Sequence, residues 1–416
     1  MSLLTQARLL LICFVLAFVV SGNLRAQTFG IELHNNLMPA SGGMAGASLS
    51  QPQDLQSALN GNPSTLRQFN GTQFSFSGAW ADANYNLTQA DPLPLLGVAP
   101  FSASSGTPGS LLGNIGVTQD LDAFGIPATM GLGFISNAGM GTEFKQVLAS
   151  NGTSTQYLAL DMDASLGFNV TERLAFGVTG TVGTSFLDSP FVDVGGMTGA
   201  YGFRGTVGAN YCVNSDTSLG AYWQSKKRFE FEDAAIIGGI PLNVALDHPA
   251  NIGIGLANSS LMCGRLLLAA DVIYKMYSDA AALTAIYEDQ MCFQIGSQYI
   301  LNERMRLRTG YAYNENPMKD AQLESIGGVT LPDGVPAVRY VQGQFASIGQ
   351  QRVTMGLGIR DFKPGIDLDL FFGYAFAETD QFAATTVSID DNYWVGFGQT
   401  WRFGGCSNDG DPQAIQ

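Results

Sequence analysis

The stretch that most constrains this chain runs from Tyr157 to Val182, where two arms alternate with a period of two residues. In the first arm Leu158, Leu160, Met162, Ala164, Leu166 and Phe168 alternate with Tyr157, Ala159, Asp161, Asp163, Ser165 and Gly167. After Asn169-Val170-Thr171-Glu172-Arg173, the second arm sets Leu174, Phe176, Val178 and Val182 against Ala175, Gly177, Thr179, Thr181 and Gly183. Successive strand side chains point to opposite faces, so one face of this β-hairpin is continuously apolar and the other small or polar. Two architectures accommodate such a sheet. A soluble sandwich packs the apolar face on a partner sheet; an outer-membrane barrel turns it to lipid and lines its lumen with the rest.

Loop lengths decide between them. Strands are expected near 71–84, 110–119, 127–144, 154–169, 173–187, 199–214, 217–232, 242–258, 263–278, 284–300, 304–314, 349–361, 365–378 and 391–403. The connections alternate between short (169–173, 214–216, 301–303, 362–364) and long (85–109, 187–198, 233–241, 315–348, 377–391). Bacterial barrels have short periplasmic turns, longer outer loops and an even strand count, whereas a sandwich has no reason to sort its loops by parity. The expected fold is therefore all-β, a transmembrane antiparallel β-barrel of about fourteen strands. Leu158, Phe176, Leu370 and Phe397 then meet lipid, and Asp161, Asp163, Arg306, Arg308, Asp367 and Arg402 face the lumen. Tyr311, Tyr374, Trp401 and Phe403 fall near strand ends, where aromatic girdles belong.

Composition agrees. Charged residues make up 13% of the chain, against about 25% in soluble proteins, and there are 51 glycines and 26 phenylalanines. Residues 1–26 read as a signal peptide: Arg8, an apolar core from Leu9 to Val20, then Leu24-Arg25-Ala26 before Gln27. No later stretch is long and apolar enough for a membrane helix. Without Arg8 and Arg25 the basic residues fall from 20 to 18 against 35 acidic ones, a net charge of −17, which argues against nucleic acid as a partner. Cys212, Cys263, Cys292 and Cys406 lack metal-ligand spacing and are not expected to form a disulfide framework. Residues 27–70 differ from the strands that follow: Pro39, Gly42, Gly43, Met44, Gly46 and Pro52 interrupt any strand, and Asn62-Pro63 is a capped helix start. This segment is expected to be a hatch inside the lumen, with the barrel spanning 71–403 and a polar tail over 404–416.

The order Gly43-Met44-Ala45-Gly46-Ala47, then Asn62-Pro63, then Gly131 to Phe144, with Tyr211 to Phe231 and Leu307 to Pro317 later, resembles the long-chain fatty acid transporter family of outer-membrane proteins, the FadL/TodX type. The resemblance covers essentially the whole mature chain, and its weight lies in order and spacing. It departs from the family at Ser64, where an alanine commonly follows Asn-Pro. It implies a fourteen-strand barrel plugged by an N-terminal hatch, capture of ligand near the outer loops, a pocket above the hatch and a lateral opening in the wall.

The residues offer some chemistry of their own. Arg204, Arg304, Arg306, Arg308, Arg352 and Arg360 are candidates to hold a ligand carboxylate, because guanidinium presents a bidentate fork. The structural alternative is that they brace the lumen against Asp161, Asp163, Asp271, Asp367 and Asp369. Gly42, Gly43 and Gly46 either let the hatch shift or merely turn the chain. The apolar loop Asp91 to Phe101 either gathers ligand or folds over the barrel mouth. His34 and His248, the two histidines, neighbour no serine or cysteine in a nucleophile motif, so no catalytic residues, metal site or cofactor are expected. The expectation is a monomeric bacterial outer-membrane protein for passive uptake of hydrophobic small molecules, with fatty acid as ligand and outer-membrane lipid as surroundings. Aromatic hydrocarbon uptake, a general porin and, more distantly, a lipid hydrolase are the rivals.

Overall fold

The computed structural model describes residues 27–403 except 83, 108, 189–196, 238–239 and 391, so the expected signal peptide and polar tail lie outside the described residues. The wall strands are β1 (Thr72–Asp82), β2 (Ser110–Asp120), β3 (Ala128–Glu143), β4 (Ser154–Asn169), β5 (Leu174–Asp188), β6 (Thr198–Cys212) and β7 (Thr217–Gln224). They continue with β8 (Ala250–Leu261), β9 (Leu266–Met276), β10 (Gln290–Ile300), β11 (Met305–Asn314), β12 (Gln351–Lys363), β13 (Ile366–Ala375) and β14 (Asn392–Phe403). Each pairs antiparallel with its chain neighbours, and β14 pairs back onto β1, so the ring is closed. Closure removes the unpaired edges that an open sheet would leave in hydrocarbon.

The alternation sets the two faces. Opposed pairs such as Phe168↔Phe176, Leu166↔Val178 and Met162↔Val182 lie on the outside, where Met162, Leu166, Phe176 and Val178 are exposed. Asp161, Asp163, Thr179 and Thr181 between them are buried. Phe397, Val353, Met355, Ile254 and Ile295 extend the apolar belt around the ring.

Two expected strands need correction. The stretches 217–232 and 242–258 are not continuous wall strands: β7 ends at Gln224, β8 begins at Ala250, and between them Lys227–Ile237 and Ile240–His248 form a separate hairpin. The hairpin folds inward, because Lys227 finds a carboxylate partner in Asp161 of β4 and the side-chain-free positions Gly183 and Gly202 make room for it. The expected strand 284–300 likewise begins at Gln290, after a 3-10 turn over Leu283–Ala285.

The long connections fold back over one mouth of the barrel. Phe229, Phe231, Leu246, Tyr277, Tyr287, Val338 and Val341 pack there with Ile31 and the upper ends of β3 and β4. In the loop 91–101 Leu93 and Val98 are buried beside Tyr85, Phe144 and Tyr340, while Leu95 is exposed, so most of this loop closes over the mouth.

Among the described residues the wall has a break between β2 and β3. Pairing between β2 and β3 stops at Ile115↔Phe134. Beyond it β3 shifts register against β4 between Ser136 and Ala138, and residues 135–142 are all buried. The strand Gln27–Gly30 pairs with β3 over Met140 and Gly141 on the side β2 has left. A bulge of this kind bends the strand and re-aims its side chains.

Candidate functional site

Residues 31–69 fill the lumen as short turns rather than long helices. Asp54 caps the helix Leu55–Asn60 by accepting from Ser57 N–H at 2.8 Å, and its second oxygen accepts from Ala40 and Ser41 N–H at 3.0 and 2.9 Å. One buried carboxylate thereby satisfies donors from two turns. Asn62 caps the 3-10 helix Pro63–Gln68 and donates to Leu49 O at 2.9 Å and to the wall at Ala209 O at 3.1 Å. Asp271 of β9 accepts from Ser48 and Leu49 N–H at 2.6 and 2.9 Å.

The segment sits so close to the wall that wall glycines are steric necessities. A Cβ on Gly310 would lie 2.3 Å from the Met44 carbonyl carbon, and one on Gly356 would press on Gly43. Met44 and Pro63 are buried against the wall. Gly46 has φ +89° and a neighbouring turn at Ala45 with φ +56°, so Gly46 supplies a left-handed turn. Gly42 is wedged against Phe371.

Most of the arginines singled out from sequence are already engaged. Arg308 donates to Asp369 at 2.6 Å and to Gln298 at 2.7 Å. Arg360 reaches Asp369 at 3.2 Å and Asp367 at 3.6 Å. Arg306 is interior but turns to the backbone carbonyls of Asn302 and Glu303 at 2.8 and 3.2 Å. Arg304 is a correction: β11 begins one residue later, and Arg304 is exposed in the turn rather than aimed into the lumen. Arg204 pairs with Glu32, a residue of the lumen-filling segment, at 2.7 Å. The expected pairing of arginines with Asp161 and Asp163 is also corrected. Asp161 is held by Lys227 and Asn137, and Asp163 accepts from Thr181 at 2.6 Å.

Arg352 is different. It is half-buried, its Nε has no hydrogen-bond partner within the protein, and among the described residues it has no ion-pair carboxylate. Lys275 of β9 is buried, and its partners are the backbone carbonyls of Glu32 at 3.1 Å and Ile31 at 3.4 Å. Both charges bear on His34, whose imidazole is pushed down to about 3 by burial first and by Lys275 next. The His34 Nε2, Asn314 Oδ1 and Gln294 Oε1 atoms are also buried without partners in the protein. Arg352, Lys275 and neutral His34 thus form an interior patch of two cations with no ion-paired carboxylate of its own among the described residues. The negative charge that also reaches Lys275 and His34 is Glu32, already paired with Arg204, which leaves the patch a suitable receptor for a carboxylate. Sequence reasoning missed Lys275, although it shares its strand parity with Asp271, already placed in the lumen.

His248 sits outside this patch. Its Nε2 lies 2.6 Å from the Tyr157 hydroxyl and its Nδ1 2.9 Å from Glu32. A carboxylate only accepts, so Nδ1 carries the proton and Nε2 accepts from Tyr157. Burial and then the Lys227 charge push this imidazole down to about 4. Burial disfavours ionisation of Glu32, but Arg204 and His248 outweigh it and hold the carboxyl well below its ordinary range. Among the described residues no serine or cysteine is hydrogen-bonded to either ring nitrogen of His248.

No protein-family model matches the chain, and no curated protein matches it. Solved structures do share its fold. The P. putida toluene transporter TodX superposes with a TM-score of 0.65 at 18% identity, over 90% of this chain and 100% of that one. A FadL homologue of Pseudomonas aeruginosa gives 0.64 at 13% identity, over 92% of this chain and 100% of the other. The Ralstonia pickettii toluene transporter TbuX gives 0.62 at 18%, over 89% and 99%. At these identities the likeness establishes the fold, a closed fourteen-strand transmembrane barrel of the FadL/TodX type.

Proposed function

We propose that this protein is a bacterial outer-membrane channel for passive uptake of hydrophobic small molecules, with long-chain fatty acids as its ligands. The observation that carries the choice of ligand is the patch of Arg352, Lys275 and His34. Arg204, Arg308 and Arg360 are neutralised by carboxylates, Arg306 is turned to backbone carbonyls and Arg304 lies in an exposed turn, so this patch is the interior arginine site best placed to meet the acidic head of an amphiphile. The lumen-filling segment acts as the hatch beneath it. The break between β2 and β3, where Gln27–Gly30 pairs with β3 in place of β2, is the natural lateral way out for an apolar tail.

A second reading, aromatic hydrocarbon uptake, is favoured by the two toluene transporters among the structural neighbours. An uncharged ring has no charge for Arg352 or Lys275 to neutralise, and a cation–π contact is all it gains from them. The test is binding of a fluorescent long-chain fatty acid to the purified barrel, with toluene uptake by whole cells measured in parallel. Arg352→Gln combined with Lys275→Met is expected to weaken fatty-acid binding at least tenfold. Wild-type fatty-acid affinity in that variant overturns the patch, and toluene passage without fatty-acid binding selects the second reading. A plugged lumen also predicts low ion conductance in planar bilayers, where a general porin conducts freely.

A further inference from the structure

Among the described residues the hairpin Lys227–Ile237 and Ile240–His248 pairs with no wall strand. Its two feet leave the wall together, just beyond the last pair of the β7–β8 ladder, Gln224↔Asn251. One guanidinium holds both feet: Arg204 of β6 donates through Nε to Ser225 O at 2.7 Å and through Nη2 to Pro249 O at 2.8 Å. The same group donates through Nη1 to Glu32 Oε2 at 2.9 Å. Glu32 in turn accepts from His248, the last residue of the hairpin, whose ring also meets Phe229 edge-on at 5.3 Å. A single carboxylate of the N-terminal segment is therefore shared between the wall and the hairpin.

That segment is held under tension. Glu32 has φ +63° and His34 φ +47°, left-handed backbone that residues with a Cβ avoid unless their surroundings impose it. Leu33 N–H donates to Asn137 O at 2.9 Å at the bulge in β3, so the strained turn also lies on the wall break. The hairpin has side-chain anchors where wall strands have ladders, which leaves it the more readily released of the two.

We propose that Glu32 is a shared latch that makes the N-terminal segment and the 227–248 hairpin open together. Moving residues 31–34 strips the hairpin feet of their common carboxylate and leaves Arg204 and His248 buried without it. Lifting the hairpin removes His248 and the Ser225 and Pro249 carbonyls from the same cluster and frees the strained turn. The coupling is reciprocal. It concerns how the lumen is closed at both levels and does not depend on which ligand passes.

Hydrogen exchange followed by mass spectrometry on the full barrel in detergent tests it, with heat-modifiable migration on gels confirming that each variant is folded. Glu32→Gln is expected to raise exchange at least tenfold both in residues 31–36 and in 227–248. His248→Gln, which alters only the hairpin side, is expected to loosen residues 31–36 as well. Asp271→Asn, which releases Ser48 and Leu49, is expected to loosen residues 46–50 and leave the hairpin protected. Loss of protection in one segment alone, or in neither, overturns the latch. Should Glu32→Gln fail to give a heat-modifiable barrel, His248→Gln and Arg204→Lys, each sparing the carboxylate itself, are judged by the same two outcomes.

Discussion

The Asn62 side chain occupies the space that a side chain at position 208 would need: a Cβ on Gly208 would lie 2.0 Å from Asn62 Oδ1. Asn62 cannot retreat easily, because its amide bridges Leu49 O and Ala209 O and its oxygen caps the Pro63 helix. Gly208→Ala is therefore expected to displace the hatch rather than the strand. Overpacking of this kind costs about 1–3 kcal/mol. The check is bilayer conductance, which should rise in Gly208→Ala while the unfolding temperature of the barrel changes little.

A second anchor is electrostatic. Asp271 satisfies two buried N–H groups of the hatch, Ser48 and Leu49, with one oxygen. Asp271→Ala strands both donors, at about 1–3 kcal/mol each. Local opening of residues 46–50 by hydrogen exchange measures this, and unchanged protection there would show that the backbone has found other acceptors.

Acid should weaken the hatch before it unfolds the barrel. Folding lowers the His248 pKa from 6.5 to about 4, so the unfolded state binds the proton more tightly and stability falls as pH drops from about 6.5 toward 4. His34, lowered to about 3, adds a loss with the same sign over a slightly wider window. Glu32 is lowered too, so its contribution is present above its unfolded pKa of 4.5 and is lost only as pH falls through its depressed value. Protection factors in residues 31–36, the exchange rates corrected for the intrinsic pH dependence of amide exchange, should therefore fall between pH 7 and pH 4, and His248→Gln should flatten that profile. A profile equally steep in His248→Gln contradicts the assignment.

The ring of strands was legible in the sequence because each wall strand must satisfy lipid on one face for its whole length, which leaves a period-2 record. The hairpin misled the same reasoning, since it also has two faces: Lys227, Phe229 and Phe231 are buried, while Arg228, Glu230 and Glu232 are exposed. A clue was present. Continued from Leu219, Ala221 and Trp223, the outward parity reaches Lys227, and continued back from Ile254 and Ile252 it reaches His248. A lysine on the lipid face costs roughly 2–4 kcal/mol at mid-bilayer, so a paired Lys227 and His248 mark where the chain must leave the wall. The site was less legible. Parity places Arg204, Arg308 and Arg352 inside alike, but only register and the path of the hatch tell which are neutralised. Glu32 lies in an irregular stretch with no periodicity to read.

Arg308 and Arg352 should therefore behave oppositely when mutated. Arg308 and Asp369 are both buried, and Arg360 reaches the same carboxylate at 3.2 Å. Removing Arg308 leaves Asp369 with one cation, whereas removing the Asp369 charge leaves Arg308 buried with Gln298 as its remaining partner. Breaking a buried pair costs about 3–5 kcal/mol when a charge is left uncompensated. Asp369→Asn should approach that range, and Arg308→Met should cost distinctly less. Neither change touches the Arg352 and Lys275 patch, so both variants should bind fatty acid with wild-type affinity once folded. Unfolding midpoints in guanidinium, paired with fatty-acid titrations of the folded fraction, separate the two roles. An Arg308→Met barrel that is stable but no longer binds would return Arg308 to the ligand site.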